Sequence, residues 1–154
     1  MGYDLYGRRP SGPSGRDFHV HFLLWWPLWG FVCREADDIL DKEEAFHGAF
    51  NEGQYIRAVK ARALAERLTL LLEDGTVARE ARTYAARAAR ERRKACPVCR
   101  GRGRRLDRTV RPPVRGRCWA CEGRGRRKAH PRFRREWVEE FRDFCRESGG
   151  FRID

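Results

Sequence analysis

The residues Cys96-Pro97-Val98-Cys99-Arg100-Gly101-Arg102-Gly103 recur, in type and spacing, as Cys118-Trp119-Ala120-Cys121-Glu122-Gly123-Arg124-Gly125. Two residues between cysteines let a tight turn aim both sulfurs at one ion while backbone N–H groups point back at the sulfurs. The glycines supply the positive φ values that carry the chain away again. Four soft sulfur donors suit zinc and leave no coordination position open for water or substrate. The spacing therefore predicts one structural zinc ion held by Cys96, Cys99, Cys118 and Cys121. The alternatives are two disulfides or a dithiol redox pair. No βαβ pattern surrounds either motif and no secretory leader precedes them, which disfavours both. His130 follows the second knuckle closely, but four cysteines already fill the shell. The remaining thiols, Cys33 and Cys145, lie in apolar surroundings and read as core residues.

The charge is as unevenly placed as the cysteines. The 154 residues carry a net +12, yet residues 78–135 hold twenty-two basic and four acidic side chains, while the segments on either side are each net −3. Around the cysteine motifs the basic residues are mostly arginines: Arg92, Arg93 and Lys94 before them, Arg100, Arg102, Arg104 and Arg105 after the first, Arg124, Arg126, Arg127 and Lys128 after the second. Such density attracts polyanions, and guanidinium forks bind phosphate and carboxylate alike. The expected partner is therefore DNA or RNA, or an acidic surface of a host protein complex. A merely solvated surface would intersperse both signs.

The elements that must position these groups read as helices. Residues 1–15, rich in Gly, Pro, Ser and Arg, look like an irregular arm. Phe18, Val20 and Phe22 permit a short strand, and Leu28, Phe31, Val32, Ile39 and Leu40 place a first helix at about 27–42 with Pro27 in its first turn. Ile56, Val59, Ala63, Leu64, Leu68, Leu71 and Leu72 mark a second helix. Asp74-Gly75-Thr76 stops it and caps a third, which runs to about Lys94 and buries Val77, Ala81, Tyr84, Ala85 and Ala88. Pro131 opens a fourth, with Trp137, Phe141, Phe144 and Cys145 on one face and Ser148-Gly149-Gly150 at its end. The tail Phe151-Arg152-Ile153 docks its apolar residues on the bundle. The expected class is mainly α, a small helical bundle with a zinc-binding β-hairpin or knuckle unit inserted between helices three and four. Its parts are an arm and bundle over 1–94, a basic zinc unit over 95–129, and a C-terminal helix over 130–154.

Trp25, Trp26 and Trp29 read as core in preference to an exposed platform, because a bundle this small needs large apolar side chains. His19, His21 and His47 read as surface or core residues. Asp37, Asp38, Asp41, Glu43 and Glu44 form the polar face of a helix and lack the partner motif a metal-dependent nuclease requires. There is no phosphate-binding Gly-rich loop, no Gly-x-Ser-x-Gly elbow and no His-Glu-x-x-His. The chain thus reads as a non-enzyme with no small-molecule substrate. No run reaches the roughly 20 apolar residues of a membrane span, and a soluble, cytoplasmic protein of a bacterial cell is expected.

The doubled Cys-x-x-Cys-x-Gly-x-Gly resembles the cysteine-rich zinc module of DnaJ-type co-chaperones. That family carries four copies and two zinc sites. Here two copies make one, and the His-Pro-Asp tripeptide of a J-domain is missing. The resemblance covers residues 96–125 and implies a pair of metal-bound hairpins. Separately, Met1-Gly2-Tyr3-Asp4-Leu5-Tyr6-Gly7, Trp25-Trp26-Pro27-Leu28-Trp29 and Ser148-Gly149-Gly150-Phe151, with the doubled motif, are similar to a group of small phage and mobile-element proteins. This resemblance implies an accessory or anti-defence role. The function expected first is a zinc-stabilised nucleic-acid binder. The second is an anti-CRISPR-like inhibitor that seats its arginines on an acidic host complex. A third, weaker by virtue of the missing J-domain, is a chaperone-associated module.

Overall fold

Trp25 and Trp29 stand one helical turn apart, and the chain is built around them. In the computed structural model, which describes residues 2–50, 52–109 and 112–154, their rings stack at 5.1 Å. Each indole N–H finds a carbonyl at 2.9 Å, Trp25 that of Gly48 and Trp29 that of Ala45. Burying an indole removes its apolar body from water, and the carbonyls satisfy the one polar atom that burial would otherwise strand.

These two tryptophans belong to α1 (Phe22–Glu35). The helix begins a turn earlier than the sequence led us to expect because the His21 side chain caps it, accepting from the Leu23 N–H at 3.2 Å. Pro27 consequently lies inside the helix and not in its first turn. The helix also ends at Glu35, so Ile39 and Leu40 fall beyond it.

The larger correction concerns class. Of the described residues 47% are helical, and two antiparallel sheets accompany them, which makes the fold mixed α/β and not clearly mainly α. The supposed arm contains β1 (Gly2–Gly7), which pairs with β2 (Asp17–His21) along its length. The tail forms β6 (Phe151–Ile153), and β3 (Gln54–Ile56) completes a sheet of order β2-β1-β6-β3. Alternation sets the register: Tyr3 faces Val20, Leu5 faces both Phe18 and Ile153, and Ile56 faces Phe151, all buried, while Asp4, Asp17, His19 and Arg152 take the opposite, exposed face. A strand with one buried face specifies its register strongly, since a slip of one residue would turn every apolar side chain outward.

Four further α-helices complete the described residues. A short α2 (Lys42–His47) is closed by a capping box between Asp41 and Glu44. The Asp41 and Glu44 carboxylates also share Lys60, and Arg67 pairs with Asp38 at 2.7 Å. Much of the acidic cluster thus caps and braces helices. In α3 (Ala58–Glu73) the stripe Ala61, Leu64, Ala65, Leu68, Leu71, Leu72 is buried, but Val59 is exposed and Ile56 sits in β3. Helix α5 (Arg135–Glu147) starts at Arg135, not Pro131, and buries Val138, Phe141, Phe144 and Cys145. Trp137 is only half-buried, beneath the Arg134 guanidinium at 5.3 Å. Phe141 and Phe144 reach Phe18 at 5.4 and 5.9 Å, and Phe144 meets Phe151 at 5.2 Å.

Gly75, at φ 82°, ends α3 in the left-handed region that glycine adopts without strain. Asp74 Oδ1 then accepts the Thr76 N–H at 2.7 Å and starts α4 (Thr76–Arg93). Val77 and Ala88 of α4 are buried, Ala81 and Tyr84 half-buried, and Ala85 exposed, a narrower apolar stripe than expected. The chain divides within α4. One unit, here the sheet unit, comprises residues 1–81 and 132–154; the other, the cysteine unit, comprises residues 82–131. No helix among the described residues is long and apolar enough to cross a membrane.

Candidate metal centre and basic surface

Within the cysteine unit the two repeats fold alike, and each closes the other. After the first knuckle the Gly101 N–H donates to the Cys96 carbonyl at 3.3 Å and the Arg102 N–H to Cys99 at 3.1 Å. After the second, the Gly123 N–H donates to Cys118 at 3.2 Å and the Arg124 N–H to Cys121 at 3.0 Å. The backbone matches as closely: Arg100 and Glu122 have φ 51° and 50°, Gly101 and Gly123 have 83° and 80°, Gly103 and Gly125 have 71° and 72°. The repeats interlock through Cys96 N–H to the Gly125 carbonyl at 2.8 Å and Cys118 N–H to the Gly103 carbonyl at 2.9 Å. A Cβ on Gly103 would stand 2.3 Å from the Gly123 oxygen, and one on Gly125 the same distance from the Gly101 oxygen. Glycine is thus required at both positions, by positive φ and by close backbone approach.

This arrangement gathers Cys96, Cys99, Cys118 and Cys121, all buried, with their sulfurs within 4.8 Å of one another. Cys99 and Cys121 Sγ are 3.7 Å apart. A tetrahedral ion with metal–sulfur bonds of about 2.3 Å sets its sulfurs about 3.8 Å apart, so the cluster has the dimensions of one four-sulfur site. Two backbone donors support it, the Gly103 N–H to Cys99 Sγ at 3.2 Å and the Gly125 N–H to Cys121 Sγ at 3.3 Å. Such bonds stabilise thiolate over thiol. Burial pushes the Cys99 thiol up to about 11. Burial also raises Cys121, but the Gly125 N–H and the neighbouring S–H donors outweigh it and bring that group down to about 7. A cation bound by the four sulfurs would take the place of the thiol protons. Cys145, by contrast, is wholly buried and its thiol is pushed well up by desolvation alone, the state of an inert core residue.

Between the knuckles runs a hairpin, β4 (Arg104–Asp107) and β5 (Val114–Arg117), in which Arg104 faces Arg117, Arg105 faces Gly116 and Leu106 faces Arg115. Behind the second knuckle, Ala95 bridges Arg126 and the Arg127 N–H donates to the Lys94 carbonyl at 3.0 Å, which ties the end of α4 to the metal-binding segment. All eleven basic residues singled out from the sequence are exposed. They fall into two groups. Lys94 and Arg127 pair with Glu91, Arg124 and Lys128 pair with Glu122, and Arg92 donates to the Ala129 carbonyl at 3.4 Å. These cations hold the Glu91 and Glu122 carboxyls below their ordinary range. Arg93, Arg100, Arg102, Arg104, Arg105 and Arg126 form no ion pair among the described residues.

The sequence reading passed over Trp119 and the arginines 108, 115 and 117. Trp119 occupies the second position of its knuckle, which a two-residue turn must expose, and Arg115 and Arg117 flank a glycine in an alternating strand. Both signals were present in the sequence. The histidines bind elsewhere: His19 lies between Asp4 at 2.7 Å and Asp17 at 2.9 Å, and His47 lies against Glu52 at 3.1 Å. Among the described residues the four cysteines alone form a group of metal-ligating geometry. Comparison of the chain with protein-family models, with curated proteins and with solved structures finds no match in any of the three.

Proposed function

We propose that this is a non-enzymatic protein whose four-cysteine site holds one structural zinc ion and whose arginines bind nucleic acid. Zinc is the ion that an all-sulfur tetrahedral shell of these dimensions suits, in a reducing compartment such as the bacterial cytoplasm. The observation that carries the nucleic-acid reading is a surplus of cations. The cysteine unit has eighteen basic and three acidic side chains, a net +15. Two of the three acids, Glu91 and Glu122, are already engaged by four of the cations. The arginines left without carboxylate partners surround the hairpin and knuckles, where the metal would fix their backbone. Phosphate contacts of this kind give affinity that depends weakly on base sequence and falls steeply with salt.

Elemental analysis of the purified protein should return one zinc per chain. Mobility shifts with generic duplex and single-stranded probes over a salt series should show binding at low salt that weakens log-linearly as salt rises. Absence of any shift at low salt overturns the reading. A stoichiometric complex with an acidic host protein, without affinity for free nucleic acid, would put the inhibitor reading in its place.

A further inference from the structure

The tryptophans of this protein run from core to solvent, and Trp26, read from the sequence as core, is 58% exposed, with its Nε1–H donating to the Tyr3 hydroxyl at 3.1 Å and its ring edge-on to Phe50 at 6.4 Å. Trp25 and Trp29 are no more than 2% exposed and both N–H groups are bonded, whereas Trp119 is 73% exposed and its ring has no aromatic or cationic partner among the described residues. Trp119 does not stand alone on the surface, because Leu106, 45% exposed, lines the same cleft. The lining limits what that cleft accepts. It measures about 610 Å³ and is formed by Trp119 with Arg105, Leu106, Arg108, Gly116 and Arg117. This is within the range of about 300–1,000 Å³ that accepts a small organic group. Gly116, opposite Arg105 in the hairpin, lines the open side of the cleft, where even an added Cβ would meet nothing within 4 Å. Arg105 and Arg108 form no ion pair among the described residues, and Arg117 is anchored through Nε to the Glu122 carbonyl at 2.9 Å. A second cleft of about 370 Å³, lined by Arg102, Arg104, Arg105, Leu106 and Arg115, adjoins the same strand pair.

A flat aromatic face beside guanidinium groups matches a ligand that offers a π-face and a phosphate together. Duplex DNA or RNA keeps its base faces stacked inside and presents only phosphates and groove edges. A single strand presents both. Resting on the nucleic-acid reading above, we infer that the preferred ligand is single-stranded nucleic acid, with an unpaired base stacked on Trp119 and its flanking phosphates held by Arg105 and Arg108. The metal cluster sets Trp119 beside the hairpin by fixing its two neighbours in the knuckle, Cys118 and Cys121.

Anisotropy titrations of the zinc-loaded full chain test this, using labelled dT15, U15 and a 15-base-pair duplex against wild type, Trp119→Leu and Trp119→Phe. The wild type is expected to prefer the single strands. Trp119→Leu should lower the ratio of single-strand to duplex affinity about ten- to a hundredfold, and Trp119→Phe should retain most of it. The dT15 and U15 arms decide between DNA and RNA. A ratio unmoved by Trp119→Leu, or equal wild-type affinity for duplex and single strand, overturns the inference and leaves the nucleic-acid reading standing. No binding of any probe at low salt removes both. So that the outcome does not depend on a variant folding, photocrosslinking of the wild type to a bromouridine-substituted strand should join Trp119; a crosslink confined to other residues overturns the inference. Displacement of dT15 by polyglutamate at equal charge overturns it as well, in favour of an acidic polypeptide.

Discussion

The two units of this chain solve the same problem by different physics. The sheet unit carries sixteen basic and nineteen acidic side chains, and an interior of stacked aromatics and aliphatics holds it together. The cysteine unit carries a net +15, and the buried cluster at its centre is four cysteines with Ala120 packed against them. Apolar burial scales with the side chains available, and residues 82–131 have few to offer. On the proposed reading, their order comes from an ion held by the four sulfurs and from the backbone bonds that join the two knuckles. The division frees the surface: a unit whose centre is made by sulfurs can give 16 of its 50 residues to arginine.

The sharpest way to break the comparison is to remove the metal. Chelation, or Cys99→Ser with Cys121→Ser, should forfeit most of the roughly 10–16 kcal/mol that a structural zinc supplies to small domains. Amide exchange should then show residues 95–127 unprotected and β1, β2 and β6 still protected. Loss of protection throughout would mean that the units are not separately stabilised. The converse experiment is Phe141→Ala. It empties a site touching Phe18, Trp25, Phe144 and Phe151 and should cost about 3–5 kcal/mol in thermal or denaturant unfolding. Zinc content should stay at its wild-type value.

Smaller changes refine the same point. Gly125→Ala sets a Cβ 2.3 Å from the Gly101 oxygen at a φ of 72°. It should weaken the cysteine unit by about 1–3 kcal/mol, read as faster zinc transfer to a chelator, whereas Gly116→Ala should have almost no effect. A small, pH-dependent effect belongs to Asp41 in the sheet unit, whose carboxyl is held at about 2 by the Glu44 N–H and by Lys60. Its folded value lies below its ordinary 3.8. Its contribution is therefore present above 3.8 and fades as pH falls towards 2. Asp41→Asn should flatten that part of the stability profile.

The contrast also explains which parts of the molecule could be read from the sequence. The cysteine cluster was legible because its determinants are local: fixed spacings, glycines at fixed offsets, and a repeat that displays the pattern twice. The break at Gly75 and the burial of Phe141, Phe144 and Cys145 followed from helical periodicity for the same reason. The four-stranded sheet was not legible. Its strands have three to six residues each; only β2, where Phe18 and Val20 alternate, could be read locally, and the sheet joins the neighbouring β1 and β2 to the remote β3 and β6. In β1 only Tyr3 and Leu5 alternate inward, between glycines that read as turn residues. What makes it a strand is its partners, β2 and the remote β6, and a pairing partner is invisible in a local window. Trp119 escaped notice for a different reason. Its neighbours in the cleft come from a hairpin whose arginines had been counted only as charge.

The place of β6 between β1 and β3 has a consequence for biosynthesis. As the chain leaves the ribosome, β1 and β3 emerge early but cannot be joined until Phe151–Ile153 arrive to pair with both. Cys121, the last of the four sulfurs, has emerged well before then. The order of synthesis therefore delivers all four sulfurs while the sheet is still incomplete, and an ion bound by them would be captured before β1 and β3 are joined.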